Sequence, residues 1–279
     1  MILKECPVAL TALSCLIFSQ AAFADMRDIE SANNQISVQF QSREMDHIET
    51  SNGALIDSED AKIAGYGLSA SAMKDLWLGH DLFVLQYSSF SGESRYVGST
   101  IGNPVYGSLT GKSGAKVNDF SFSYGNGYMV DSLLMVTPYA ELGYHKYNRT
   151  VGNGAPGSYL EIYSHYYFGI GVLGQILPAD KVVMSANALI GRTFRPMVDV
   201  GLPAPFGFAA RLGSSAMYRV GASIDYAFTD SIHASLGVDV TSWKYGASAS
   251  QAVGSGIFLY EPDSKSSYTT FKAGMGFSF

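Results

Sequence analysis

His145, His165 and Glu141 are the one set of residues in this chain whose types and spacing suit catalysis or metal binding. They lie in "YAELGYHKY" (139–147) and "IYSHYYFGIGV" (162–172), where apolar residues recur at alternate positions. That period belongs to a β-strand. Facing residues on adjacent antiparallel strands approach to ~5 Å, so the two imidazoles could meet, with Glu141 one pleat repeat below. Such a set could hold a divalent metal or supply the base of a hydrolase. A structural role competes with both. Inward polar groups need partners, and Asp119, Arg219, Asp225, Asp239, His233 and Lys272 offer a full set of them. The structural role is the reading preferred here, and no metal or cofactor is expected.

Two nucleotide-like motifs fail on context. "GIGVLG" (169–174) has the letters of a dinucleotide fingerprint, which requires a strand before it and a helix opening at its last glycine. Here it lies within a strand, and "QILPADK" follows with Pro178 four residues on. Glycines there make room across a crowded lumen. "GSLTGKS" (107–113) misses the phosphate-loop pattern because Tyr106 stands where its first glycine belongs.

The elements that must position these residues are strands throughout. The chain has 279 residues, 47% hydrophobic, 13% aromatic and 15% charged, with 30 Gly, 18 Tyr and 16 Phe. The charge content is well below the roughly 25% of soluble domains. After the first two dozen residues no apolar run reaches the ~18 that a membrane helix needs. The formal charge is −6 with no basic stripe, so nucleic acid is not an expected partner.

Residues 1–24 read as a signal peptide, with Lys4, the apolar "PVALTALSCLIF" and the A-x-A site Ala22-Phe23-Ala24. Cys6 and Cys15 both fall inside it. A lipoprotein reading of "ALSC" fits poorly, because Ala12 stands where a larger aliphatic is usual. The mature domain, 25–279, shows about ten alternating segments. They are "ISVQFQ", "AGYGLSASA", "LWLGHDLFVLQY" (76–87, apolar on both faces), "DFSFSYG", "YAELGYHKY", "IYSHYYFGIGV", "VVMSANALIG", "YRVGASIDYAF", "IHASLGVDV" and the terminal "TTFKAGMGFSF". Short connections (73–75, 125–132, 177–181, 229–230) alternate with long ones (about 43–61, 91–116, 148–160, 195–215, 246–266). This layout predicts a closed antiparallel transmembrane β-barrel of ten strands, or eight if the early segments are miscounted, with short periplasmic turns and long extracellular loops. The near-charge-free faces meet lipid, the polar faces line the lumen, and strand one pairs with strand ten because hydrocarbon tolerates no open edge.

With its A-x-A leader, amphipathic strands and Phe-terminated last strand, the chain resembles the outer-membrane β-barrel superfamily of Gram-negative bacteria, especially small OmpA-like, OmpX-like and opacity-type barrels. The resemblance implies outer-membrane localisation and contact with membrane lipid and lipopolysaccharide. It also implies recognition by the barrel-assembly machinery through Phe279 and, behind it, Phe277, Met275 and Phe271. Enzymes of that superfamily, of the omptin protease or lipid A deacylase type, carry acid and His residues near the outer rim; their motifs do not align here residue by residue. The expected role is structural or adhesin-like, carried by loops that could meet a host or surface ligand. Val198, Val200, Leu202, Phe206 and Phe208 form an expected exposed apolar cluster, and "GIFLYEP" a second one. A narrow porin and a rim-sited hydrolase are the alternatives.

Overall fold

The computed structural model describes residues 26–99, 105–152, 157–253 and 256–279; the expected signal peptide lies outside them. A short helix, α1 (Met26–Asn33), precedes ten barrel strands. These are β1 (Gln35–Ser51), β2 (Ala54–Lys74), β3 (Asp81–Gly98), β4 (Leu109–Asn126), β5 (Leu134–Val151), β6 (Tyr159–Ala179), β7 (Val182–Val200), β8 (Ala216–Ala227), β9 (Ile232–Tyr245) and β10 (Asp263–Ser278). Each pairs antiparallel with the next. β10 then closes on β1 from Gln35↔Ser278 to Thr50↔Asp263, the closure that the membrane requires. Among the described residues no helix is long and apolar enough to cross a membrane.

The pleat sorts the side chains as the alternation predicts. Ile36, Val38, Phe40, Leu68, Leu142, Ile170, Val220, Leu236 and Met275 point outward and are exposed as a belt. An outward girdle of rings bounds the belt above: Tyr66 lies 6.3 Å from Tyr87, and Tyr144 lies 4.9 Å from Tyr166. Tyr and Trp favour that level of a bilayer. Beyond it the outward face turns charged, with Glu44, Asp46, Lys62, Glu93 and Arg95. The strands continue well past the 9–11 residues that span a bilayer; β2 and β6 each have 21. Much of the long connections is therefore strand. The stretch read as a loop at 43–61 is a hairpin that turns only at Asn52 and Gly53, both with positive φ.

One strand boundary differs from expectation. Residues 76–80 are not the start of β3. Asp81 Oδ2 accepts from the backbone N–H of Leu76, Trp77 and Leu78 at 3.1, 2.7 and 3.2 Å, and Asp75 Oδ1 accepts from His80 N at 2.7 Å. Two carboxylates thus fold "LWL" into the first inner turn, where Trp77 is 71% exposed and packs on Phe83 and Tyr124. An apolar run on both faces looks like a buried strand; here it is an interfacial turn.

The lumen holds two cores. The outer one joins Met45, Ile63, Phe90, Tyr147, Tyr163, Val198, Trp243 and Tyr268. The inner one packs Ile29 of α1 against Met73, Leu82, Met135, Leu177 and Val183, so the helix plugs the periplasmic end. Burying an isoleucine contributes about 1.5–3 kcal/mol, enough to hold a helix too short to persist alone.

Candidate functional site

His145 and His165 do meet. They are register partners on β5 and β6, with ring centroids 5.0 Å apart. Gly143 makes this level packable: a Cβ there would lie 2.2 Å from the Tyr167 ring, which crosses the space instead. Both imidazoles are already committed. His145 Nδ1 lies 2.6 Å from Asp119 Oδ1, and Asp119 also accepts from Arg43 Nη1 at 2.7 Å. His165 Nδ1 lies 2.6 Å from the Tyr245 hydroxyl. The indole of Trp243 packs against both rings, at 4.8 and 5.4 Å. Glu141 does not join them. It accepts from Arg219 Nη2 at 2.6 Å and from Tyr167 Oη at 2.7 Å, one layer nearer the periplasm. Among the described residues no group of three or more His, Cys, Asp or Glu is placed to hold a metal. The expected triple is therefore two separate sets of contacts.

A denser charged site lies one layer further out and was not anticipated. Arg149 Nη1 donates to Glu49 Oε1 at 2.6 Å, and Nη2 donates to Asp57 Oδ2 at 2.7 Å. Glu161 Oε2 is 3.2 Å from Nη1, and Glu59 Oε1 is 3.4 Å from Nε. Tyr163 Oη donates to a fifth carboxylate, Glu261 Oε1, at 2.5 Å, and Tyr147 Oη donates to Glu59 Oε2 at 2.6 Å. His47 bridges Glu49 and Ser266. All of these carboxylates are buried, and one guanidinium serves them. Proton affinity must therefore split across the set. Burial raises Glu49, but Arg149 and His47 outweigh it and hold that carboxyl at about 2. Burial and the neighbouring carboxylates push Asp57 and Glu161 up to about 7 against the pull of Arg149, and push Glu261 well above its ordinary value.

The sequence did carry a signal for this site. "REMDHIETS" alternates Met45, His47 and Glu49 against Glu44, Asp46 and Ile48, and only the first set is buried. Charge on both faces hid the strand.

The expected apolar loop cluster divides. Val198 and Val200 are the inward residues of β7 and belong to the outer core. Leu202 and Phe208 pack partly against it, and Phe206 is half-buried. An exposed patch at 198–208 is thus not formed. Ile257, Phe258 and Tyr260, in the β9–β10 connection, are the exposed ones.

Below the His layer, Arg219–Glu141 and Lys272–Asp239 pairs roof a cavity of about 270 Å³ that Ser37, Gln39, Ser71, Gln175 and Asn187 line and α1 floors.

No family model and no curated protein sequence matches this chain. Among solved structures, the outer membrane protease OmpT from Escherichia coli superposes with a TM-score of 0.56 at 12% identity, over 88% of this chain and 97% of that one. The translocator domain of the autotransporter NalP from Neisseria meningitidis aligns with a TM-score of 0.40 at 12% identity, over 97% and 93%. The chain has the fold of the outer-membrane β-barrels.

Proposed function

We propose that this chain is a sealed outer-membrane barrel whose work is done on the extracellular face as a surface-interaction protein. The observation that carries this reading is the occlusion of the lumen at successive depths. The Arg149 network and the His145–His165–Trp243 layer pack buried side chains into the lumen, and α1 docks Ile29 and Asn33 inside its inner end. A ten-stranded barrel is close to the size that side chains fill completely. A rim hydrolase needs a nucleophile that substrate reaches, whereas Ser266, the hydroxyl against His47, is 2% exposed, and the ring nitrogens of His145 and His165 face Asp119 and Tyr245.

What the barrel offers outside are apolar tips. Phe258 is 65% exposed, and Tyr260, Ile257 and Val105 stand out with it. Rings of this kind suit a host or bacterial surface, or the lipopolysaccharide around the barrel. The C-terminal face Phe271, Met275, Phe277 and Phe279 is exposed to lipid and fits the address that the assembly machinery reads. Removing Phe279 should lower the inserted fraction in cells while leaving refolding in detergent unchanged.

Planar-bilayer recording tests the seal. The wild-type barrel should conduct no ions; discrete channel steps would overturn this reading in favour of a porin. Phe258→Ser with Tyr260→Ser should then cut adhesion of expressing cells several-fold at equal insertion. Equal adhesion would remove the surface role.

A further inference from the structure

At the periplasmic end, three side chains from distant parts of the chain form a relay that the layers above do not use. Ser31 lies in α1, Asp225 near the end of β8, and His233 near the start of β9. Ser31 Oγ is 3.0 Å from His233 Nε2, and His233 Nδ1 is 2.5 Å from Asp225 Oδ1. The fold fixes all three. Ile29 anchors the helix, so its following turn sets Ser31 against the wall. The β8–β9 register places His233 opposite Ala227, which makes Asp225 its diagonal neighbour on the inward face. The imidazole is 1% exposed and cannot swing, while Ser31 is only half-buried.

The protonation pattern follows from the carboxylate. Asp225 accepts from Nδ1–H, which leaves the Nε2 lone pair facing the Ser31 hydroxyl. That is the arrangement that activates a serine, and it is defined by geometry rather than by position in a chain. Ser31 Oγ also donates to Ser278 Oγ at 3.0 Å, and Ser278 Oγ donates to the Ser31 carbonyl at 3.1 Å. On activation the Ser31 proton therefore turns from Ser278 to His233 Nε2, and the Ser278 proton turns from that carbonyl toward an oxygen held beside it.

From this geometry we infer that Ser31, His233 and Asp225 form an acyl-transfer site that hydrolyses carboxylic esters arriving from the periplasmic side. Ser31 Oγ bonds to the acyl carbon while its proton passes to His233 Nε2. The carbonyl π electrons move onto oxygen, toward which the Ser278 hydroxyl turns from the Ser31 carbonyl. On collapse the C–O bond to the alcohol breaks, and that alcohol leaves with the proton from Nε2. Water then attacks the acyl carbon, giving its proton to Nε2. The acyl–Oγ bond breaks, the carboxylic acid departs and Ser31 regains a proton. Ser31 and His233 are the catalytic residues, and Asp225 positions the imidazole. A single hydroxyl is a modest oxyanion donor compared with a pair of backbone N–H groups, so covalent capture of Ser31 reports the site more sharply than turnover does.

The test uses the full mature barrel folded in detergent, with folding verified for every variant by heat-modifiable gel migration. A fluorophosphonate probe should form an adduct that peptide mass spectrometry maps to Ser31, and Ser31→Ala should abolish it. His233→Ala and the near-isosteric Asp225→Asn should slow labelling by on the order of a hundredfold or more. Asp225→Glu, which returns a carboxylate to Nδ1, should recover part of the rate. Hydrolysis of p-nitrophenyl butyrate should follow the same ranking. Absence of an adduct at Ser31 in the folded wild type, or an unchanged adduct rate in folded Asp225→Asn, would overturn the site and leave these three residues as fasteners of α1.

Discussion

Above the outer girdle the lumen is packed with rings and a charge network around Arg149. Below it, small polar side chains surround a cavity of about 270 Å³ over a helical floor. The two halves of one sheet solve different solvent problems. Inside the bilayer, lipid covers the outward face, so the wall is not wetted from both sides and its interior can stay hollow. Beyond the bilayer the outward face carries Glu44, Lys62 and Arg95 into water. A sheet wetted there must bury its other face, as in a soluble sandwich or barrel. Tyr147, Tyr163, Trp243 and Val198 provide that second core.

The sharpest way to break this contrast is to remove the cation from the outer half. Arg149→Met should destabilise that half by about 3–5 kcal/mol, because four contacting carboxylates lose a shared partner while remaining buried. Proteinase K should then cut within residues 45–60 and 147–163, and the denaturant midpoint should fall. The bilayer-embedded belt should keep its folded gel migration. An unchanged midpoint would mean that the aromatic core alone holds the extension.

Ile29→Ala probes the other half. Deleting a buried isoleucine to alanine costs about 2–5 kcal/mol, and here the loss falls on α1 docking. Protease access to residues 26–34 should rise sharply while the Arg149 region keeps its midpoint, since distant sites add independently. A shift of the outer midpoint would show that the two cores are coupled.

The same division explains what could be read in advance. The belt was legible, because lipid imposes strict alternation on "AGYGLSASA" and on the last strand. The extension was not: on β1 and β2 charged residues occupy both faces, with Asp46 outward and His47 and Glu49 inward. Polarity therefore stopped marking the phase. α1 was missed because its three apolar residues, Met26, Ile29 and Ala32, make up one short eight-residue segment directly after the expected cleavage site, too few turns to stand out as a period. The pairing of His145 with His165 was readable from strand order; the capture of Glu141 by Arg219 was not, because it depends on β8 lying across the lumen.

The pH dependence is the most diagnostic test, because it has opposite signs at the two ends of the pH scale. Asp57 and Glu161 sit at about 7 in the folded chain, against ordinary values of 3.8 and 4.5. The folded state thus binds their protons more tightly than the unfolded state does. Their contribution to stability is full below about 4 and is lost as pH rises to about 7. Glu49 runs the other way: held at about 2 against 4.5, its contribution is full above about 4.5 and is lost as pH falls toward 2. The outer half should therefore be most stable near pH 4–5 and weaken by pH 8. The inner half, where none of these groups lies, should not follow that trend. Proteinase K cleavage of residues 45–60 at pH 5, 6 and 8, normalised to cleavage of the unfolded chain at each pH, reads it directly. Rising cleavage from pH 5 to pH 8 in the wild type, with a flatter response in Asp57→Asn, is the expected outcome. Equal slopes in the two proteins would place the titrating groups elsewhere.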